Sequence, residues 1–142
     1  MIQNDVDIHI NSPVEKVFAY LADAKNLRTW QADLIENEQL TEGPIRVGTR
    51  FREVRRTGPQ QSEILAEITA FEPNKHFATK TLKGSQATVS YIVHEERGGT
   101  KLTYKFILQT SGFMRLMEPL IAASIKKDAK SDFRKLKQIL ES

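Results

Sequence analysis

The chain has 142 residues, of which 39% are hydrophobic and 27% charged, and its formal net charge is +3. This length predicts a single domain, residues 1–142, that buries about two-thirds of its surface. The absence of cysteine excludes disulfides, thiolate nucleophiles and cysteine-ligated metals. The start of the chain does not resemble a signal peptide, and no apolar run approaches the roughly 18 residues of a membrane span. We therefore expect a cytoplasmic protein without integral membrane association, and the mild charge argues against nucleic acid as a partner.

An alternating pattern is the first structural signal. Residues 5–11 place apolar side chains at every second position, which predicts a half-buried strand. The Ser-Pro-Val-Glu sequence at 12–15 predicts a helix start in which the serine caps the helix and the glutamate completes a capping box. A second short helix is predicted over 24–29, ending near Trp30.

Six strands separated by turns are predicted next. Their ranges are 34–40, 48–56, 61–71, 76–82, 87–96 and 101–109. Glycine, proline or asparagine occurs at each break between them, at 42–44, 58–59, 72–74, 83–85 and 98–99. The Gly98-Gly99 pair gives the sharpest hairpin signal. Such short connections predict that sequential strands are antiparallel neighbours.

The last segment, from Phe113 to about Glu141, is predicted to be helical, with a kink or break near Pro119. A helix of this length measures roughly 40 Å. Basic residues occupy one arc of it: Lys126, Lys127, Lys130, Arg134 and Lys137. This arc is either an ordinary solvated face or the contact surface for an anionic partner.

These elements predict how the chain packs. A seven-stranded antiparallel sheet with one apolar face needs a cover, and only the C-terminal helix is long enough to provide it. Because a strongly twisted sheet curls, a helix laid across its concave side cannot fill the whole concavity, and we expect an internal cavity between them. Alternation along the strands places several side chains on the inner face: Phe77, Thr79, Tyr91, Tyr104 and Phe106.

The strand over 48–56 allows two registers. In one of them Phe51, Glu53 and Arg55 face inward. The other register buries three arginines, which costs more desolvation. They are Arg50, Arg52 and Arg56. We therefore predict the first register, in which the Glu53–Arg55 pair is either a salt bridge at the rim or an anchor for a ligand.

No sequence motif identifies a reaction. The chain has no G-x-S-x-G elbow, H-E-x-x-H sequence or glycine-rich phosphate loop. Its three histidines are predicted on outward positions of separate strands. They are His9, His76 and His94. We therefore expect neither a metal site nor a cofactor.

Four segments together resemble a known superfamily. They are INSPVEKVFAYLADAKNLRTW, GPIRVGTRFREV, EITAFEPNKHFATKT and FMRLMEPLIAASIKKDAKSDFRKLKQILES. The whole chain is similar to START-like (SRPBCC) domains, within them to the polyketide cyclase/dehydrase and lipid transport family. The resemblance implies an α+β helix-grip fold: a curved seven-stranded antiparallel sheet wrapped around a long C-terminal helix, with two short helices after the first strand.

The resemblance also implies a pocket for a small hydrophobic or amphipathic molecule of the lipid, polyketide or aromatic type. Family members often place pocket residues at positions that match Trp30, Phe51, Glu53, Arg55, Tyr91 and Tyr104. With Phe77, Thr79 and Phe106 from the strand alternation, these are the predicted ligand-binding residues. For Trp30 the alternative is a purely structural role in the core.

Three functions remain open at this point. The first is a binding module for a small hydrophobic ligand, acting as a monomer or homodimer. The second is a cyclase or dehydratase in which Glu53 is the base, while Arg55 and a tyrosine hydroxyl stabilise an oxyanion. The third is an interaction or quinone-binding protein that uses the basic arc of the last helix.

Overall fold

The computed structural model describes residues 1–57 and 59–142, without the side chain of Thr57. The predicted turn at Gly58-Pro59 therefore lies partly outside the described residues. The strands are β1 Ile2–Ile10, β2 Leu34–Gln39, β3 Arg50–Thr57, β4 Gln60–Glu72, β5 His76–Lys83, β6 Ala87–Glu96 and β7 Gly99–Leu108. The helices are α1 Val14–Ala22, α2 Leu27–Trp30, α3 Phe113–Leu116 and α4 Glu118–Glu141, and a 3-10 turn, Ala24–Asn26, precedes α2.

The strands form one antiparallel sheet in the order β1-β7-β6-β5-β4-β3-β2. Strands β2 to β7 are paired with their neighbours in sequence, as the short connections predict, and β1 pairs with β7. The helix-grip fold expected from the resemblance is confirmed. Within the described ranges, no helix combines the length and apolarity that crossing a membrane requires.

The beginning of the chain differs from the prediction in two ways. Strand β1 starts at Ile2, because its ladder with β7 extends to the Ile2–Leu108 pair. The alternation pattern did not predict this extension, since the inward residue Asn4 is polar. The predicted capping box is wrong. Pro13 precedes α1 without a side-chain cap, and the buried Ser12 hydroxyl has no hydrogen-bond partner in the described part of the chain.

The hairpin between β6 and β7 turns one residue earlier than predicted. Its two-residue turn is Arg97-Gly98, and both residues have positive φ, of 49° and 77°. Gly99 already belongs to β7. A Cβ atom at Gly99 would lie 2.5 Å from the Ile10 carbonyl oxygen, so glycine is needed there for close approach to the end of β1.

The register of β3 is confirmed by the charges on the outer face. The Arg50 Nε donates to Glu67 Oε2 at 3.0 Å, and the Arg52 Nε donates to Glu63 Oε2 at 2.9 Å. These arginines thus remain on the partly solvated side, where their charges are matched. The alternate side chains, from Phe51 to Arg55, consequently face inward.

The C-terminal segment is interrupted where the sequence predicts it. Met117 separates α3 from α4, and Pro119 lies in the first turn of α4, where no intrahelical hydrogen bond is lost. Helix α4 packs mainly against β1 and α2. Its C-terminal half buries Ala129, Phe133, Leu136 and Leu140, whereas no described residue from Glu118 to Asp128 is buried.

Candidate functional site

The space beneath the C-terminal half of α4 is filled by aromatic side chains. The Trp30 ring lies 6.4 Å from Tyr91 and 5.2 Å from Phe133, measured between ring centroids. Phe77 stacks on Tyr91 at 4.8 Å, and Tyr104 lies 4.7 Å from Phe133. Trp30 is only 2% exposed, so in this structure it belongs to the hydrophobic core.

The described residues line open clefts in two regions of the molecule. The first, of about 270 Å³, lies between α4 and the strands, lined by Ala32, Asp33, Arg56, Asp128 and Asp132. The second, of about 470 Å³, is lined by Phe18, Ala19, Ala22, Asp23, Ala24, Gln39, Pro44, Ile45, Phe71 and Pro73. Neither cleft is enclosed, so the expected internal cavity is not confirmed.

Arg55 on β3 is the centre of a polar cluster on the inner face. Its Nε donates to Glu53 Oε1 at 2.9 Å, and its Nη1 donates to Asp33 Oδ1 at 3.1 Å. Its Nη2 donates to Gln31 Oε1 at 2.8 Å, and the Gln31 Nε2 donates to the Tyr91 hydroxyl at 3.4 Å. We call the side chains of Gln31, Asp33, Glu53 and Arg55 the Arg55 cluster.

The charges of the Arg55 cluster decide which polar group it can accept. Burial disfavours the charged guanidinium, but the attraction of Glu53 and Asp33 is stronger, and the pKa of Arg55 is raised. One positive and two negative side chains leave the cluster with a net charge of −1. An added carboxylate would be repelled, whereas an uncharged or cationic group would not.

The two inward tyrosines are hydrogen-bond donors at neutral pH. Burial raises the pKa of Tyr91 and of Tyr104 well above the usual tyrosine range. Neither phenol therefore ionises near pH 7. Both can orient a carbonyl or hydroxyl group, but neither is suited to act as a base.

Asp132 on α4 has a shifted pKa that lies close to neutral pH. Burial, and then the nearby carboxylates of Asp33 and Asp128, raise the pKa of Asp132 to about 6. The Ala32 amide, which donates to Asp132 Oδ1 at 3.3 Å, and the Arg55 guanidinium oppose this shift. Asp132 lies in the wall of the first cleft, where it can exchange a proton with solvent.

The inner face is incompletely covered beyond Tyr104. Half-buried side chains continue along it: Ile64, Thr79, Thr81, Val89 and Phe106. The inward side of the first half of α4 is half-buried too, at Ile121, Ala122 and Ile125. We call these two surfaces the open half of the site. These side chains are only partly buried, so they are less completely packed than the buried side chains beneath the C-terminal half of α4.

Asn4 is a polar residue on the same inner face. It lies opposite Phe106 in the β1–β7 ladder and is 7% exposed. Its Nδ2 is buried without a hydrogen-bond partner among the described residues. A buried unsatisfied donor costs about 1–3 kcal/mol, so this position calls for an explanation.

The predicted site residues fall into two groups. Phe51, Phe77, Tyr91 and Trp30 are buried in the aromatic core. The half-buried group comprises Glu53, Arg55, Thr79, Tyr104 and Phe106. The sequence prediction missed four residues: Asn4, Gln31, Asp33 and Asp132. A signal existed for Asp132, since it occupies the inward helical stripe with Ala129, Phe133 and Leu136, where a carboxylate is unexpected.

The histidines lie apart from this site. His9 is on the outer face, where its Nδ1 lies 3.1 Å from Glu96 Oε2. Within the described residues, no group of three or more histidine, aspartate or glutamate side chains has an arrangement that could hold a metal ion.

Comparisons with solved structures extend over nearly the whole chain. TTHA0849 from Thermus thermophilus superposes with a TM-score of 0.82 at 16% identity, covering 96% of this chain and 94% of that one. Ara h 8.0201 gives 0.73 at 14% identity, covering 97% and 96%. The di-domain ARO/CYC BexL of the BE-7585A biosynthetic pathway gives 0.75 at 13% identity, covering 97% of this chain and 46% of that one. Identities this low establish the fold alone.

The family comparison is more direct. No significant match was found among curated proteins. The profile of the family described as polyketide cyclase / dehydrase and lipid transport matches residues 1–141. With the helix-grip fold described above, this match shows that the chain belongs to the polyketide cyclase / dehydrase and lipid transport family.

Proposed function

We propose that the protein binds a small, mainly apolar molecule in the open half of the site. One observation supports this proposal: beyond Tyr104, the inner face of the sheet and the inward side of α4 are both only partly buried. A ligand between them would remove apolar surface from water on both sides, at about 25 cal/mol per Å². The family description, which includes lipid transport, is consistent with such a ligand.

The polar end of this ligand is proposed to be uncharged. Next to the open half lie the Arg55 cluster, with its net negative charge, and the Tyr104 phenol, which stays protonated. These groups favour a ketone, phenol or alcohol over a carboxylate. The proposed contacts are therefore Phe106, Val89 and Ile125 for the apolar body, and Tyr104 for the polar group.

Two fluorescent probes test this assignment. N-phenyl-1-naphthylamine is uncharged, whereas 8-anilinonaphthalene-1-sulfonate has a similar ring system and a negative charge. We expect the uncharged probe to bind more tightly, by about fivefold, since one unfavourable charge contact is worth about 1 kcal/mol. Absence of binding of the uncharged probe would reject the proposed function.

A matched pair of variants localises the binding. Ile125→Trp places a large side chain in the open half, so probe affinity should fall by about tenfold or more. Ala123→Trp adds the same bulk at an exposed position of the same helix and should leave affinity unchanged. Equal affinities in the two variants would place the probe elsewhere, with the second cleft as the next region to test.

A second function is supported by one specific feature, the raised pKa of Asp132 to about 6. In a ring-closing aldol reaction, a carboxylate removes a proton next to a ketone, the carbanion attacks a second ketone, and the alkoxide is then protonated. Asp132 suits this role better than Glu53, whose Oε1 already accepts from the Arg55 guanidinium. If this function holds, Asp132→Asn abolishes cyclisation of a synthetic poly-β-ketone thioester without weakening binding of the uncharged probe.

A further inference from the structure

An exposed apolar group lies where the C-terminal helical segment begins. Phe113 and Leu116 on α3 and Leu120 on α4 are 75%, 79% and 66% exposed. They lie on either side of the Met117 break between α3 and α4. We call them the apolar tip. Three large apolar side chains with this exposure in one place are unusual for a surface that contacts only water.

A row of basic side chains continues from the apolar tip along α4. Lys127 and Arg134 follow Leu120 at intervals of seven residues, which is two helical turns, and so they lie on the same side of the helix. Lys130 lies beside them, and all three are exposed. We call them the basic stripe. In the part of the chain described, none of the three forms an ion pair.

The tip and the stripe face away from the protein. The inward side of α4 is defined by Ala129, Phe133 and Leu136, which are buried. Lys127 and Arg134 lie on the opposite side, in line with Leu120, and Lys130 lies about a quarter of a turn from the inward side. From Leu120 to Arg134 this surface extends roughly 21 Å along the helix axis. Its charge is carried by side chains that have no partner within the described structure.

This combination identifies the kind of partner. A nucleic acid or an acidic protein would complement the basic stripe, but it would leave Phe113, Leu116 and Leu120 in water. An anionic bilayer accepts both parts, since apolar side chains enter the boundary between headgroups and acyl chains while lysine and arginine contact the anionic headgroups. We propose that the apolar tip and the basic stripe dock the protein reversibly on an anionic phospholipid bilayer.

The docking surface is distinct from the proposed ligand site, although the two share one helix. The inward side of the first half of α4 is part of the open half of the site, and the outward side of the same helix would contact the bilayer. Docking therefore places the open half close to the lipid surface. The two proposals fail independently, because probe binding is measured without vesicles.

Vesicle flotation with the full chain tests the proposal. We expect binding to vesicles that contain phosphatidylglycerol and little binding to pure phosphatidylcholine. Replacing Leu116 and Leu120 by glutamate, or Lys127 and Arg134 by glutamate, should each lower the partition coefficient by about tenfold or more. Because these side chains are exposed, the variants should fold, as circular dichroism and retained binding of N-phenyl-1-naphthylamine would show.

Matched controls carry the same chemical changes at other places. Leu40 and Val47, in the β2–β3 connection, are 47% and 59% exposed and serve as the apolar control pair, each replaced by glutamate. Lys80 and Lys105, exposed on the outer face of the sheet, serve as the charge-reversal pair. Both control variants should bind vesicles within about twofold of the wild type. Equal losses in controls and test variants would overturn the proposal.

Two other outcomes would also overturn it. The first is no binding of the unaltered chain to phosphatidylglycerol vesicles. The second is binding that depends on Lys127 and Arg134 but not on Leu116 and Leu120, since this would leave the apolar tip without a role and favour a purely electrostatic partner such as nucleic acid.

Discussion

The two halves of α4 cover the same sheet in different ways. From Ala129 onward, the inward apolar side chains are buried, and Phe133 contacts both Trp30 and Tyr104. Before Ala129, the inward side chains of α4 are only partly buried, and so are Val89 and Phe106 on the inner face of the sheet. The comparison indicates that the C-terminal half holds the fold together, whereas the N-terminal half leaves room for a ligand.

The largest difference between the two halves should appear on truncating one inward side chain in each. Phe133→Ala removes a ring from the aromatic core and should lower the free energy of unfolding by about 3–5 kcal/mol. Ile125→Ala, its counterpart in the N-terminal half, should cost about 1 kcal/mol or less, because the side chain is incompletely packed. Urea unfolding followed by Trp30 fluorescence measures both. Equal losses would show that the halves are packed alike.

Arg55 lies at the boundary between the two regions, and its replacement has the next largest expected effect. Arg55→Met leaves the Glu53 carboxylate, 15% exposed, without its cation and should cost about 3 kcal/mol. Adding Glu53→Gln should recover part of this loss. The control is Arg52→Met on the outer face, where two exposed carboxylates remain hydrated and about 1 kcal/mol or less is expected. Chemical denaturation that gives equal losses for Arg55 and Arg52 would contradict the burial argument.

Replacing Asn4, on the inner face of the sheet, should stabilise the fold. Asn4→Leu removes a buried amide donor that lacks a partner among the described residues and should raise the free energy of unfolding by about 1 kcal/mol. Asn37→Leu is the control, because the Asn37 Nδ2 donates to the Ala24 carbonyl and its loss should destabilise the fold. Thermal unfolding distinguishes the two, and destabilisation by Asn4→Leu would show that the amide is satisfied in solution.

The smallest expected effect is the pH dependence set by Asp132. Its folded-state pKa, about 6, lies above the ordinary value of 3.8, so its ionised form costs stability. This cost is absent below the ordinary value and fully developed above the raised one. Asp132→Asn should therefore be more stable than the wild type at pH 8, by about 1 kcal/mol or less because the group is partly solvated. The difference should disappear on lowering the pH to about 4, and a gain independent of pH would contradict the assignment.

Much of the sheet was predictable because alternation and desolvation act locally. The inward positions of Tyr91, Tyr104 and Phe106 follow from alternation with outward polar residues: Ser90, Thr103 and Lys105. The register of β3 follows from the cost of burying three arginines. The break near Pro119 follows from the missing amide hydrogen of proline. The predictions for Ser12 and for the Gly98-Gly99 turn were wrong, because tertiary contacts buried the serine and placed Gly99 against the Ile10 carbonyl.

The sequence by itself determined the order of elements, the two faces of the sheet, the inward Glu53–Arg55 pair and, through the resemblance, the family. Only the tertiary structure decided which part of the concave face is filled. It placed Trp30 against Phe133, which is far away in the sequence, and brought Gln31, Asp33 and Asp132 around Arg55. Periodicity reports which way a side chain points along its own strand or helix, whereas filling depends on which side chains meet across the fold.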